Sequence, residues 1–469
     1  MHTDLLNALR QAVGDAHVLS DGDLSAYTHD WRKRHQGRAL AVVLPANTEE
    51  VAAVVRACAA AGVSIVPQGG NTGLVVGGVP DTSGKQVLLS LKRMNQVRAI
   101  DAANLTMTLD AGCVLQSAQE AASAQGLWLP LSLAAEGSCT IGGNLATNAG
   151  GTQVLRFGNT REQCLGLEVV TASGEIWNGL SGLRKDNTGY DLRHLMIGSE
   201  GTLGIITGAC MKLVHQPAAR WTAWASVNSV DDAVRLLNLA QQRLGPTLTG
   251  FEMMGQFALS LVSKHFEQLR VPFPDAPYGV LMESSDFESE EHARAQFDQL
   301  LEAALEAELI TDAVVAESIT QAKGLWHIRE SIPLAQAQEG LNIKHDISVP
   351  VSQIAAFVNR TDAALAEAIP GVRLVNFGHL GDGNLHYNVQ CPEGADGAAF
   401  LDQEETRINT LVFDAVAACG GSISAEHGVG SLKAHALPHY KSATALRLMH
   451  AIKAALDPQN IMNPGRVLE

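Results

Sequence analysis

The chain has 469 residues, 46% hydrophobic and 17% charged, too many for one ordinary core and too apolar for disorder, so two or three globular domains are expected. A net charge of −16 argues against nucleic acid or an anionic membrane surface as the main partner. It leaves room for an acidic small molecule held in a local basic pocket. The N-terminus MHTDLLNALRQAVGDAH has no apolar core of signal-peptide length, and no apolar stretch is long enough to span a bilayer. A cytoplasmic protein with no transmembrane segment is expected. The seven cysteines (58, 113, 139, 164, 210, 391 and 419) are odd in number and form no CxxC pair, which argues against a disulfide framework or an iron–sulfur cluster bound by this chain alone.

Residues 40–66 read strand, helix, strand. The apolar run ALAVVLP precedes Asn47-Thr48-Glu49-Glu50, which caps a helix over VAAVVRACAAAG that stops at Gly62. The short β-branched run VSIVP then feeds the glycine-rich loop QGGNTGLVVGG, making a βαβ unit. As far as about residue 215, strand-like runs alternate with glycine clusters, the densest being IGGNLATNAGG (141–151) and IGSEGTLGIIT (197–207). His215-Gln216-Pro217 marks a break. Between 218 and 375, strands such as WTAWASV and amphipathic helices such as DDAVRLLNLAQQRLG alternate with little glycine, the texture of an α+β domain with an antiparallel sheet. The last fifty residues read as helical and close on NPGRVL.

Any single glycine loop is most simply a turn. Three in one domain point instead to backbone amides that approach the phosphates of a dinucleotide. There is no GxxxxGK[ST], which disfavours a P-loop, and no GxGxxG opening a helix after the first strand, which disfavours an ordinary Rossmann domain.

PQGGNTGL (67–74), GSCTIGGNLATNAGG (137–151) and GSEGTLGIIT (198–207), in this order and separation, resemble the flavin domain of the vanillyl-alcohol-oxidase-type flavoproteins. The resemblance runs essentially end to end. It implies an α+β protein with a two-lobed FAD-binding domain over 1–215, a substrate- and metal-binding cap domain over 216–425, and a C-terminal helical segment, 426–469, returning to the FAD domain. It also implies that Pro67, Gly69, Gly70, Asn71, Thr72, Gly73 and Leu74 cradle the pyrophosphate. Ser138, Gly142, Gly143, Asn144, Thr147 and Gly150 would line the flavin, with Glu200, Gly201, Ile206 and Asn463 completing the cofactor site. The first loop has no histidine for a covalent link, so the FAD is expected to dissociate. Cys139 lies near the place of a cysteinyl link in other relatives.

Four motifs in the second half, WHIRESI (326–332), IKHDISVP (343–350), GHLGDGNLHYNV (378–389) and SISAEHGVG (422–430), sharpen the resemblance to the FAD-linked D-2-hydroxyacid dehydrogenases. The D-2-hydroxyglutarate branch is nearest and the D-lactate branch close behind. LHYNV reads as a strand, which turns His386 and Asn388 to one face, and the Gly-Asp-Gly-Asn turn brings His379 back towards it. Two imidazoles and a carboxylate suit Zn²⁺ or Mn²⁺, although each residue by itself reads as an ordinary polar contact. The resemblance makes His379, His386 and Glu426 the metal ligands. Oxidising a 2-hydroxy acid requires a hydride acceptor, which flavin N5 supplies, and a base for the hydroxyl proton. His427 is the natural base, since an imidazole titrates near neutrality, at about 6.5. A metal on the substrate oxygens would lower the hydroxyl pKa. Arg329 would grip a carboxylate through two parallel hydrogen bonds, with Lys344 adding a point charge and Asn388 a hydrogen bond; each otherwise reads as a solvated or strand-end residue.

One departure stands out. The hydroxyglutarate branch is expected to carry a threonine four residues after the arginine, to help grip the distal carboxylate, and this chain has Pro333 there. Proline offers neither hydroxyl nor N–H, which keeps D-lactate and other D-2-hydroxy acids in play. Electrons would pass to a separate acceptor such as an electron-transfer flavoprotein or a quinone, and a homodimer is among the open assemblies. Two rival classes are a zinc hydrolase built on His379, His386, Glu426 and His427, which has no use for the glycine loops, and a non-catalytic flavin-binding subunit, which has no use for His427.

Overall fold

The computed structural model describes residues 2–469, which form two compact units. One comprises residues up to 150 together with 158–216 and 426–469; the other comprises 151–157 and 217–425. The short segment 151–157 thus joins the second unit. There Arg156 donates to the Ser285 carbonyl at 3.0 Å and lies 4.7 Å over the Phe287 ring.

In the first unit the βαβ element is a parallel arrangement. Ala39–Val43 and Ile65–Gln68 both pair in parallel with Gln86–Ser90, and Val18–Leu19 adds an antiparallel edge. The intervening helix Thr48–Ala61 starts where its cap requires. Asn47 Oδ1 accepts the Glu50 N–H at 2.8 Å, Glu50 Oε2 accepts the Ala46 N–H at 2.8 Å, and Gly62 ends the helix at φ 63°. A second, antiparallel sheet runs Val97–Asp101, Thr106–Asp110, Ile205–Lys212, Cys164–Val170, Ile176–Gly179. Val51, Val55, Leu89, Leu109, Leu167 and Ile205 belong to one buried cluster shared by the helix and both sheets. Glu168 crosses that core. Its Oε1 accepts from Thr48 Oγ1 at 2.6 Å, Arg98 Nη2 at 2.9 Å and Thr207 Oγ1 at 3.0 Å.

The C-terminal segment is less helical than its sequence suggests. Only Ala443–Leu456 is a long helix. Residues 426–433 and 457–469 are irregular, because Gly428, Gly430, Asn460, Asn463 and Gly465 all sit at positive φ and Pro464 has no N–H.

The second unit is built on an eight-stranded antiparallel sheet whose central strands are Tyr278–Asp286, Leu248–Gly255, Arg373–Gly378 and Asn384–Gln390. The helices Gln256–His265 and Ile319–Glu339 cover one face through Leu259, Val262, Leu325, Ile328 and Ile332, packed on Val375 and Phe377. Pro333 lies inside Ile319–Glu339 and removes the N–H that would otherwise bond the Arg329 carbonyl. No helix among the described residues is long and apolar enough to cross a membrane.

Glu339 ties down the end of the Arg329 helix. It accepts from Lys264 Nζ at 2.7 Å, His265 Nε2 at 2.8 Å and Arg373 Nη1 at 2.7 Å. Burial pushes its carboxyl up, but the hydrogen bonds from these three donors and the Lys264 charge outweigh burial and hold it at about 2, below the ordinary 4.5. A depressed pKa in the folded state contributes stability that is present above 4.5 and is lost as pH falls towards about 2. Urea midpoints measured against pH should therefore fall over that window in the parent chain. They should fall less in Glu339→Gln; parallel curves would refute the clamp.

Candidate active site

The strand Ile65–Gln68 delivers the chain into the first glycine loop, and the second loop folds against it at distances only glycine allows. A Cβ on Gly70 would lie 2.0 Å from the Ser138 carbonyl oxygen, one on Gly69 2.4 Å from Thr140 Oγ1, and one on Gly142 2.6 Å from the Ala111 Cβ. Between the loops runs a cleft of about 1020 Å³, counting the solvent at its open mouth. Pro67, Gly69, Gly70, Asn71, Thr72, Gly73, Gly142, Gly143, Asn144, Thr147, Glu200, Gly201 and Ile206 line it, with Val75, Val76 and Gly77. Leu74, Ser138, Gly150 and Asn463 are not among the lining residues. Two of these act one step back: Ser138 supplies the carbonyl that meets Gly70, and Asn463 Nδ2 donates to the carbonyls of Gly77 at 3.0 Å and Glu200 at 2.8 Å. Cys139 is buried, and burial pushes its thiol up to about 11, so it is protonated at neutral pH. A long cleft walled by glycine backbone fits the phosphates and rings of a dinucleotide.

His427 lines the same cleft. The loop that follows it is fixed by Glu200, whose two carboxylate oxygens accept the N–H groups of Val429 and Gly430, each at 2.7 Å. Burial raises the Glu200 carboxyl, and the two amides and Lys433 counter it in part.

In the second unit a buried carboxylate organises the predicted polar residues. Glu252, 1% exposed, accepts from His379 Nδ1 at 2.6 Å and from Arg329 Nε at 2.7 Å. Burial would raise its carboxyl, but the His379 and Arg329 charges and hydrogen bonds hold it at about 2. The Nδ1 contact fixes the His379 ring, and the His379 and His386 rings lie 5.6 Å apart. The Arg329 guanidinium stacks 5.0 Å over Phe377, which neighbours His386 at 5.0 Å. Its Nε bond to Glu252 leaves the two terminal nitrogens to face a carboxylate. Asn388 is largely committed: Oδ1 accepts the His345 N–H at 3.0 Å, and Nδ2 donates to Gln336 Oε1 at 2.9 Å. Lys344 is half-buried directly after the strand Asn342–Ile343. Glu426 and His427 are half-buried and open the segment that returns to the first unit.

Residues 39–179 match the family described as "FAD binding domain", and residues 216–467 match "FAD linked oxidases, C-terminal domain". The chain is 41% identical over 466 residues to the D-2-hydroxyglutarate dehydrogenase of Xanthomonas citri pv. viticola, covering 98% of this chain and 96% of that one. It belongs to the FAD-linked D-2-hydroxyacid dehydrogenases. The mitochondrial D-2-hydroxyglutarate dehydrogenase of Danio rerio is 38% identical over 460 residues, covering 98% of this chain and 84% of that one. Among solved structures, p-cresol methylhydroxylase with substrate bound aligns with a TM-score of 0.77 at 17% identity, over 100% of this chain and 97% of that one. Alkyldihydroxyacetonephosphate synthase aligns at 0.73 and 17%, over 99% and 85%. At that identity they show the fold: α+β, of the vanillyl-alcohol-oxidase type.

Two residues of this dehydrogenase's site escape the motifs. Glu252 carries a signal, a lone acid in the apolar strand LTGFEMMG, where a buried carboxylate needs a partner. Gln336 carries none, because its role is to hold Asn388. Glu252→Ala leaves the buried Arg329 charge uncompensated and the His379 ring without its partner, and should cost about 3–5 kcal/mol, read as a lower urea midpoint, together with most of the turnover. A midpoint and rate equal to the parent's would remove Glu252 from the site. Gly70→Ala should abolish flavin retention through its 2.0 Å collision, and a variant that purifies with full flavin absorbance would refute the close approach.

Proposed function

We propose that this dehydrogenase oxidises D-2-hydroxyglutarate to 2-oxoglutarate with FAD and a divalent metal, Zn²⁺ or Mn²⁺. The observation that carries the proposal is His427 in the wall of the glycine-lined cleft, a proton acceptor beside the place a flavin would occupy. FAD, held by the loops at 67–79, 140–147 and 200–206, supplies the hydride acceptor, and the metal supplies Lewis acidity towards the substrate oxygens.

The chain's residues do the rest. His427 takes the hydroxyl proton at its imidazole. Arg329 presents its terminal nitrogens to a substrate carboxylate, its own orientation fixed by Glu252. Lys344 places a positive charge for the second carboxylate of a dicarboxylate. His379 and His386 offer two imidazole nitrogens to the metal, the His379 ring oriented by its contact with Glu252. Glu426 is assigned as third ligand on its motif alone. A separate electron acceptor, an electron-transfer flavoprotein or a quinone, completes the turnover. A zinc hydrolase would leave the cleft without a use.

D-lactate is the alternative substrate, favoured by Pro333, which offers no hydroxyl and no N–H at its position in the Arg329 helix.

Anaerobic bleaching of the oxidised-flavin band, with D-2-hydroxyglutarate, L-2-hydroxyglutarate and D-lactate added separately, decides between them. Fast bleaching by D-2-hydroxyglutarate is expected. Bleaching by D-lactate alone moves the substrate to the alternative, and no bleaching by any of the three rejects the substrate class. Arg329→Ala should lower kcat/KM for every hydroxy acid by about 10- to 100-fold, whereas Lys344→Ala should do so only for the dicarboxylate. Equal losses on D-lactate and D-2-hydroxyglutarate would show that Lys344 does not read the distal group.

A further inference from the structure

We infer that Glu200 is the positioning residue for His427, fixing the backbone of the loop that carries it against the wall of the flavin cleft. The inference rests on the assignment of His427 as the base.

Both oxygens of Glu200 are used on one short stretch: Oε1 accepts the Val429 N–H and Oε2 the Gly430 N–H, each at 2.7 Å. The residue between that stretch and His427 must be glycine. Gly428 sits at φ +80°, and a Cβ there would lie 2.6 Å from Glu200 Oε1. The other side of the loop is equally tight. A Cβ on Gly430 would lie 2.0 Å from the Val75 carbonyl oxygen, which also accepts the Ser431 N–H at 3.1 Å. The loop is therefore seated between Glu200 and Val75, and both of these line the cleft.

Glu200 is itself held on every side. It is 8% exposed and sits at φ 52°, a conformation that costs a non-glycine residue energy and persists only where its surroundings enforce it. Its N–H donates to the Ala146 carbonyl at 2.8 Å, and its carbonyl accepts Asn463 Nδ2 at 2.8 Å. Ala146 also lines the cleft. The segments on which a flavin would rest are thus the ones that set the path of the His427 loop. A free carboxylate is needed for this. In Glu200→Gln the amide keeps one acceptor and turns N–H groups towards the other backbone N–H.

The test compares purified flavin-loaded parent and Glu200→Gln. In the variant, amide hydrogen exchange of a peptide spanning 428–431 should accelerate by about tenfold or more. Its kcat with D-2-hydroxyglutarate should fall on the order of 100-fold while KM stays within about threefold, because a displaced base harms the chemical step more than substrate binding. Flavin content should match the parent. If Glu200→Gln fails to fold, Gly428→Ala pushes the same loop off Glu200 through its Cβ and should give the same pattern. Exchange unchanged from the parent overturns the inference, whether kcat falls or not. Loss of flavin with unchanged loop exchange also overturns it and makes Glu200 a cofactor ligand instead. Should the parent chain oxidise no hydroxy acid, the assignment of His427 as base falls, and the exchange measurement still decides whether Glu200 holds the loop.

Discussion

Burying a carboxylate is costly unless it is hydrogen-bonded, and this chain is arranged around three that are. Glu168 joins the helix Thr48–Ala61 to the antiparallel sheet through Thr48, Arg98 and Thr207. Glu200 holds the loop after His427 by two backbone amides. Glu252 holds an imidazole and a guanidinium at once. Each reaches far along the chain: Glu168 is 120 residues from Thr48, Glu200 is 229 from Val429, and Glu252 is 127 from His379. Such an acid cannot be satisfied until the tertiary fold closes, so the same contact that reports a completed fold also sets a side chain for chemistry.

Glycine supplies the second constraint. At Gly69 and Gly70 the missing Cβ lets two loops meet closely, and at Gly142 it lets the second loop sit against Ala111. At Gly428 and Gly430 the same freedom admits Glu200 and Val75 to either side of the base loop. The cost is flexibility in the unfolded chain, offset here by the hydrogen bonds that the close approach makes possible. Rigidity at His427 and narrowness of the cleft thus have a common origin.

The division of labour between residues also differs from a reading of types alone. Asn388 has the chemistry of a substrate donor, yet most of its amide is engaged with His345 and Gln336. Asn463 reads as a cofactor residue, yet its Nδ2 bonds the carbonyls of Gly77 and Glu200 instead of lining the cleft. Polar side chains near a site are as often its scaffold as its working surface.

Local features were legible in the sequence because local forces decide them. The Asn47 cap and the Gly62 stop define the helix Thr48–Ala61. The turn after Gly378 returns the chain into the strand Asn384–Gln390, and the three glycine loops carry the mark of a dinucleotide site in their composition. The helical reading of the last fifty residues failed because residues at positive φ and Pro464 broke a segment whose apolar content alone resembled a helix. The tertiary structure alone decided that Glu252 would orient His379 and Arg329, that Glu200 would grip Val429 and Gly430, and that residues 151–157 would leave the first unit for the second. Those choices depend on which buried charge meets which partner across 77 to 230 residues, and neither periodicity nor motif spacing encodes that pairing.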